Sequence, residues 1–509
     1  MEHQYHLTKT SPTSSIPEPH VVIFPLPIQG PVNCMLKLAD LILSLSNSAV
    51  SVTFVVTDFI HRRLIHHSTT AARLGKNFRF ETVPDGLGDG GDDDENPRGL
   101  YQLADMTNTL QGQAQAEGSR LRAVLAYGAA EPGLKKAVTC IIADGFYGCM
   151  VDVAKELGVP LVYFETISPC GLWTYLCVPN MLRTRDLPFQ GENDLDAAIT
   201  SVPGMEAYLR RRDLPSFCRA YDPKNPIIQL VLNQVKNFPK AQGHILNTFD
   251  ELEGDYFHNL RALCPNLYNI GPLHLNLKCR LKQKSTKSIS NTLWQEDRQC
   301  LEWLDAQPRK SVLFVSIGSL ASMTKDQLME IWYGLLNSKT RFLWVRRPGS
   351  IIDDEGGKEA AVPIEVVEGT KERGCVVSWA PQEEVLGHEA IGGFLTHCGW
   401  NSTLESIVGG VPMICWPFFV DQQVNSRVVT EVWKIGLDMN KDECDRVVVE
   451  EMIKELMGTT RREEFLARAG VMAKLAAQAV DVGGSSYNSL NRLIDDIVYM
   501  RFPTQNYAY

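Results

Sequence analysis

Short apolar runs alternate with helix-length stretches along almost the whole of this 509-residue chain, and that alternation restricts the fold more than any other feature. His20–Pro27 (HVVIFPLP) and Val50–Val56 (VSVTFVV) read as strands, and Asn33–Leu45 between them carries apolar residues at helical spacing. Strand, crossover helix and strand make a βαβ unit, which implies a parallel sheet. Ala137–Ala143 (AVTCIIA) and Val159–Phe164 (VPLVYF) continue the pattern, and Ile245–Phe249 closes the first half. A second series begins near residue 311, with strands expected at Val312–Ser316, Phe342–Val345, Cys375–Trp379, Gly392–Thr396 and Val411–Trp416. Between the halves, Leu277–Asn291 (LKCRLKQKSTKSISN) has the composition of an exposed linker. No repeat at a solenoid period is present. The expectation is an α/β chain of two doubly wound domains facing across a cleft. Residues 1–18 form a tail, 19–273 the first domain, 274–292 the linker and 293–484 the second domain, and 485–509 form a helix packing back on the first.

Charge and cysteine usage narrow the function classes. Lys and Arg number 50 against 60 Asp and Glu, and a net charge of −10 argues against a nucleic-acid binder. The 13 cysteines are scattered from Cys34 to Cys444 without a CxxC pair, so neither a zinc site nor a dithiol centre is suggested. Spread-out thiols read as small core groups of a cytoplasmic protein. The polar N-terminus lacks the basic and apolar regions of a signal peptide, no apolar run approaches the length of a membrane span, and the Asn401-Ser402-Thr403 sequon reads as accidental. In Pro84–Asn96 (PDGLGDGGDDDEN), Gly86, Gly88 and Gly91 satisfy GxGxxG in form. Asp92, Asp93, Asp94 and Glu95 follow at once and would repel phosphate, so a solvated loop is expected there, ahead of a cofactor or metal site.

The segment Trp379–Gln422, 44 residues long, carries the chemistry: WAPQEEVLGHEAIGGFLTHCGWNSTLESIVGGVPMICWPFFVDQ. Ligands of open parallel sheets bind beyond the carboxyl ends of the strands. Ser319, Trp379, His397 and the pair Asp421-Gln422 each follow the end of an expected strand, so four loops converge on one rim. Trp379 offers a flat face for a base. A helix starting near Trp400 places Asn401 and Ser402 in its first turn, where free N–H groups favour phosphate. His397 can donate to a phosphate oxygen, Glu405 can accept from ribose, and Asp421 and Gln422 can bond the hydroxyls of a sugar. Singly, a tryptophan at a strand end, one histidine or a helical glutamate is more often structural; the joint spacing points to a nucleotide-sugar.

This segment resembles the signature box of the plant UDP-dependent glycosyltransferases of glycosyltransferase family 1, with the WAPQ, HCGWNS, E and DQ elements in the family's places. HVVIFPLPIQG, CIIADGF, RRDLPSF, HILNTFDELE, YNIGPL and GGSSYNSL extend the resemblance over nearly the whole chain. It implies a GT-B fold, two Rossmann-like domains with the acceptor in the N-terminal and UDP-sugar in the C-terminal one. By position, Trp379 would stack on uracil and Ala380 would bond it through its backbone. Gln382 and Glu405 would hold ribose, and His397, Asn401, Ser402 and Ser319 the diphosphate. Trp400, Asp421 and Gln422 would hold the sugar, with Thr166 touching it from the other domain. The box's final Gln usually goes with glucose. Neither a metal nor a cofactor is implied, UDP-glucose being a co-substrate. The implied reaction is inverting transfer of glucose to a small lipophilic acceptor of the terpenoid or apocarotenoid kind, or to a flavonoid or its glycoside. RRDLPSF is the weak pointer to the terpenoid branch. A monomer is the simplest expectation.

One position departs from the family. Its catalytic base is a His directly after the first loop's Gln-Gly, where this chain reads Gln29-Gly30-Pro31, and proline cannot take a proton. The Asp that orients that base is present as Asp144, and His20 matches a different histidine of the family. General-base catalysis is typically worth about 10²–10⁴ in rate. Three accounts follow: an acceptor already ionised, such as a carboxylic acid; Asp144 accepting the proton, directly or through water; or a UDP-sugar-binding protein with little transferase activity.

Overall fold

The computed structural model describes residues 18–502 except 48, 68–73, 88–99, 130, 190–193, 220–221, 282–291, 353–363, 440–443 and 459. The N-terminal tail and most of the acidic, glycine-rich stretch therefore lie outside the described residues.

The chain folds around two parallel sheets. The first contains β1 (His20–Phe24), β2 (Ser51–Thr57), β3 (Phe78–Val83), β4 (Cys140–Asp144), β5 (Leu161–Glu165), β6 (Gly243–Leu246) and β7 (Leu267–Asn269), in the order β3-β2-β1-β4-β5-β6-β7. The second is built from β8 (Val312–Ser316), β10 (Arg341–Val345), β12 (Gly374–Val377), β13 (Ile391–Thr396), β14 (Met413–Cys415) and β15 (Gly436–Asp438), in the order β12-β10-β8-β13-β14-β15. β9 (Met323–Thr324) and β11 (Ile351–Ile352) pair separately. In both sheets the strand order reverses direction once, between β1 and β4 and between β8 and β13. Such reversal points open a crevice beyond the strand ends.

Each sheet is covered on both faces. The Gln29–Leu45 helix buries Val32, Met35, Leu36 and Leu38 against one face of the first sheet. The C-terminal Ser485–Val498 helix adds Leu490, Leu493, Ile494 and Ile497 to that same core, and Tyr268 donates to Asp496 at 2.8 Å. That last helix thus belongs to the first core although it follows the second sheet in sequence.

Several elements depart from expectation. β1 ends at Phe24 because Pro25 and Pro27 cannot continue a ladder. The first helix begins at Gln29 rather than Asn33, with Pro31 in its first turn, where an N–H would have no helical partner. The first half does not close at Phe249: β7 adds an edge strand at Leu267–Asn269. The basic linker is helical over Leu273–Leu281 before the undescribed 282–291.

Candidate active site

The two strand-order reversals face each other across a cleft holding a cavity of about 1150 Å³. Ser319, Trp379, Ala380, Gln382, His397, Trp400, Asn401, Ser402, Glu405, Asp421, Gln422 and Thr166 all line it, as does Pro31. Of the site residues that the family resemblance implies, Asp144 alone does not reach the cavity; it is fully buried behind the wall.

The box residues are held by one another. Gln382 Nε2 donates to Ser402 Oγ at 2.8 Å and to Glu405 Oε2 at 2.7 Å, so three side chains form one polar edge. Burial, reinforced by the nearby Glu383 charge, pushes the Glu405 carboxyl up to about 7. Trp379 is half-buried and stacks on Trp294 (centroids 5.6 Å apart, planes 24° apart), which fixes the ring.

The Trp400–Gly409 helix starts from Gly399, which offers no side-chain cap, and its first turn holds no acidic residue. The N–H groups of Trp400, Asn401 and Ser402 precede the first helical hydrogen bond, Thr403 N–H to Gly399 C=O at 3.0 Å. Such a terminus favours anions. His397 stands beside it. Burial lowers its pKa to about 4, so the ring is a neutral donor at pH 7, and Nδ1 has no well-formed partner beyond a weak approach to the Ser316 backbone. The ring fits a slot between two glycines. Gly318 has φ +79°, and a Cβ there would lie 2.5 Å from the imidazole; one on Gly399 would also overlap it. At its far end the helix stops at Gly410 in the left-handed region, φ +59°.

The residues expected to hold the sugar are partly committed to structure. Trp400 Nε1 donates to Asn247 C=O at 2.9 Å, so the indole N–H ties the second domain to the first. Asp421 Oδ2 accepts from Ser168 N–H at 3.1 Å and Asn425 Nδ2 at 2.9 Å. A Cβ on Gly171 would lie 2.6 Å from Asp421 Cβ, so only glycine permits this approach of the two domains. Gln422 Oε1 accepts from the Phe418 and Phe419 N–H groups at 2.8 and 3.1 Å, which turns its amide NH₂ away from those backbones.

Around the missing base, Pro31 is buried in the first turn of its helix. Asp144 Oδ1 accepts from Phe146 N–H at 3.1 Å and Oδ2 from Thr166 Oγ1 at 2.9 Å. Burial outweighs these bonds and raises its carboxyl to about 7. His20 is no substitute: its ring is buried between Thr53 Oγ1 (3.0 Å) and Lys136 C=O (3.2 Å), and burial lowers its pKa to about 4.

Sequence reasoning missed the groups that reach the box from elsewhere. Lys37, only 5% exposed, donates to Glu383 Oε1 at 2.5 Å across the cleft, with His274 close by. Lys37 occupies a core-facing position of an apolar helix, and that misplaced charge was the available signal. Asn247 Nδ2 meets Asn401 Oδ1 at 3.4 Å, and Asn401 Nδ2 donates to Gly30 C=O at 3.2 Å. No local pattern marks these pairings. Among the described residues no cluster of three His, Cys, Asp or Glu side chains could hold a metal ion, and no helix is long and apolar enough to cross a membrane.

Comparison with known proteins gives this geometry a family. Residues 134–465 match the family described as UDP-glucoronosyl and UDP-glucosyl transferase. The chain is 49% identical to the 7-deoxyloganetic acid glucosyltransferase of Catharanthus roseus, over 94% of this chain and 97% of that protein. It is 39% identical to the (R)-mandelonitrile beta-glucosyltransferase of Prunus dulcis, over 96% and 99% of the two chains. Among solved structures it is similar to Os79 from O. sativa in complex with UDP, with a TM-score of 0.75 and 27% identity over 94% of this chain and 100% of that one. Two facing doubly wound sheets, the box at their shared cleft and these likenesses lead to one conclusion: the chain belongs to the plant UDP-glycosyltransferases of glycosyltransferase family 1, enzymes of the GT-B fold.

Proposed function

We propose that this enzyme transfers glucose from UDP-glucose, with inversion and without a metal, to a hydroxyl or carboxyl of a small lipophilic plant metabolite. The observation that carries the reading is the uncapped N-terminus of the Trp400–Gly409 helix beside the His397 ring, in one cavity with the stacked Trp379. In it, uracil lies on Trp379, the ribose diol bonds Glu405 and Gln382, and the diphosphate meets the helix N–H groups, His397 and Ser319. The glucose lies between Asp421, Gln422 and Thr166. As the acceptor oxygen attacks the anomeric carbon, the bond to UDP breaks and the diphosphate takes the electron pair. The helix terminus and His397 stabilise that growing charge, and holding both substrates in line supplies much of the rest.

The acceptor side supports a lipophilic molecule. Leu26, Phe146, Tyr175, Phe217, Leu230 and Val231 wall it. The relatives' names specify an iridoid acid, a cyanohydrin and, for a Crocosmia x crocosmiiflora protein, a flavonol rhamnoside, and a terpenoid-like acceptor is the choice we favour. UDP release from UDP-glucose, measured with panels of terpenoid alcohols, phenols and carboxylic acids, tests the proposal. Turnover on any of them supports it. UDP binding with no turnover on all of them instead supports a UDP-sugar-binding protein, the reading that Pro31 at the base position favours.

The ribose contact carries a pH signature. An ionised carboxylate accepts both ribose hydroxyls, whereas its acid form does so less well. Because the Glu405 carboxyl titrates at about 7, UDP affinity is expected to fall as pH drops from 8 to 6. The diphosphate and His397 titrate alike in a Glu405→Gln variant, so the difference between the two calorimetric pH profiles isolates Glu405. Parallel profiles would remove Glu405 from the ribose site.

A further inference from the structure

The absent histidine leaves open where the acceptor's proton goes. Asp144 has the basicity for the task but no access, since it is fully buried and does not line the cavity. Thr166 has the access. Its side chain lines the cavity, and its hydroxyl already points its proton at Asp144 Oδ2, 2.9 Å away, leaving the oxygen lone pairs for a new donor. Its place is fixed from both sides. It follows β5 directly, and two residues on, Ser168 N–H bonds Asp421 Oδ2 at 3.1 Å, which ties this loop to the sugar end of the donor site. The other Asp144 oxygen is occupied by Phe146 N–H, so the threonine hydroxyl is the route from the cavity to the carboxylate.

We propose that Thr166 and Asp144 form a proton relay that stands in for the missing base. This rests on the transferase reading above. The acceptor hydroxyl gives its proton to Thr166 Oγ1 as Thr166 gives its own to Asp144 Oδ2. The acceptor oxygen forms its bond to the anomeric carbon, the bond to UDP breaks, and UDP leaves with that electron pair. After release the proton returns from Asp144 through Thr166 to water. Thr166 is the catalytic residue here and Asp144 the group acting through it. The titratable groups around Asp144 are Glu165, Cys34 and Tyr147. Glu165 is bound by His244 Nδ1 at 2.8 Å and Gln234 Nε2 at 2.7 Å. Burial raises the Cys34 thiol to about 12 and the Tyr147 phenol well above its ordinary value, so neither titrates near neutrality.

The test measures kcat and KM for UDP-glucose on geraniol as the alcohol, with 4-nitrophenol and benzoate as acceptors that ionise without help. Thr166→Val keeps the shape and removes the hydroxyl; Thr166→Ser keeps the hydroxyl. Thr166→Val is expected to lower kcat on the alcohol by about 10²–10⁴, with KM for UDP-glucose rising by no more than the roughly tenfold that a lost sugar contact costs. Thr166→Ser should stay within roughly tenfold of the parent, and on the ionised acceptors Thr166→Val should lose only the roughly tenfold of the sugar contact, at least ten times less than on the alcohol. The parent's kcat on the alcohol should fall as pH drops through about 7, the value of the Asp144 carboxyl. Full alcohol activity in Thr166→Val overturns the relay. So does a raised KM for UDP-glucose with kcat intact, which would mark a sugar contact only, and so does a parent that turns over ionised acceptors alone. A parent that binds UDP and turns over none of the three overturns the transferase reading and the relay with it.

Discussion

Replacing His397 with alanine is expected to lower kcat by about 10²–10³, the loss found when one preorganised donor to a developing negative charge is removed. The ring has little structural work to lose. Its Nδ1 lacks a well-formed partner, and it sits in a slot kept open by Gly318 and Gly399. The melting temperature of His397→Ala should therefore stay close to the parent's while UDP affinity and kcat fall together. Gly318→Val offers a second route to the same outcome. At φ +79° any side chain is strained, and its first carbon would lie 2.5 Å from the imidazole, displacing the ring without deleting it. A His397→Ala protein of undiminished kcat would remove this residue from the diphosphate site.

Breaking the ion pair between the domains, buried on its Lys37 side, should have the second large effect. Lys37 lies on the first domain's leading helix and Glu383 on the second domain's box, 346 residues apart in sequence. The Lys37 side chain is 7% exposed and that of Glu383 38%. Losing one partner of a fully buried pair costs about 3–5 kcal/mol. Glu383 keeps part of its hydration, so the expected loss for Lys37→Met is nearer the 1.5–3 kcal/mol or so of a single hydrogen bond to a charged group. The effect reaches the ligand as well, because the Lys37 charge opposes the upward push on the Glu405 carboxyl. UDP affinity in Lys37→Met should fall with stability. The double variant Lys37→Met/Glu383→Met should regain most of the stability, since the carboxylate left without its partner is then gone as well. Equal stability of Lys37→Met and the parent, measured by denaturant unfolding, would show the pair to be incidental.

The fold class was legible because buried parallel strands are written as continuous apolar runs, and Val312–Ser316 and Phe394–Thr396 are of that kind. Where a strand lies at an edge the signal fades. β3 reads FRFETV, half-buried and charged on alternate positions, while β7 and β15 have three residues each, too few to show a period. The start of the first helix was hidden by Gly30-Pro31, a pair that ordinarily marks a turn but is tolerated in a first turn. The box residues could be placed on one rim because they share a 44-residue segment whose strand ends face the same way. Lys37 and Asn247 come to that rim only through the closure of one domain on the other, and Trp294 only through a contact distant in sequence, which no local spacing encodes. The commitments of Trp400 and Gln422 to backbone groups are likewise products of packing.

Central to the account is a site that grips uridine diphosphate with an aromatic face and an uncapped helix terminus. Isothermal titration of UDP into the folded protein in the presence of a chelator tests it most directly. The account predicts saturable binding of one UDP per chain, weakened at least tenfold in Trp379→Ala and His397→Ala, values on the scale of a lost stacking contact or charge-assisted hydrogen bond of about 1.5 kcal/mol. No heat of binding, or binding that appears only when a divalent cation is restored, would contradict it.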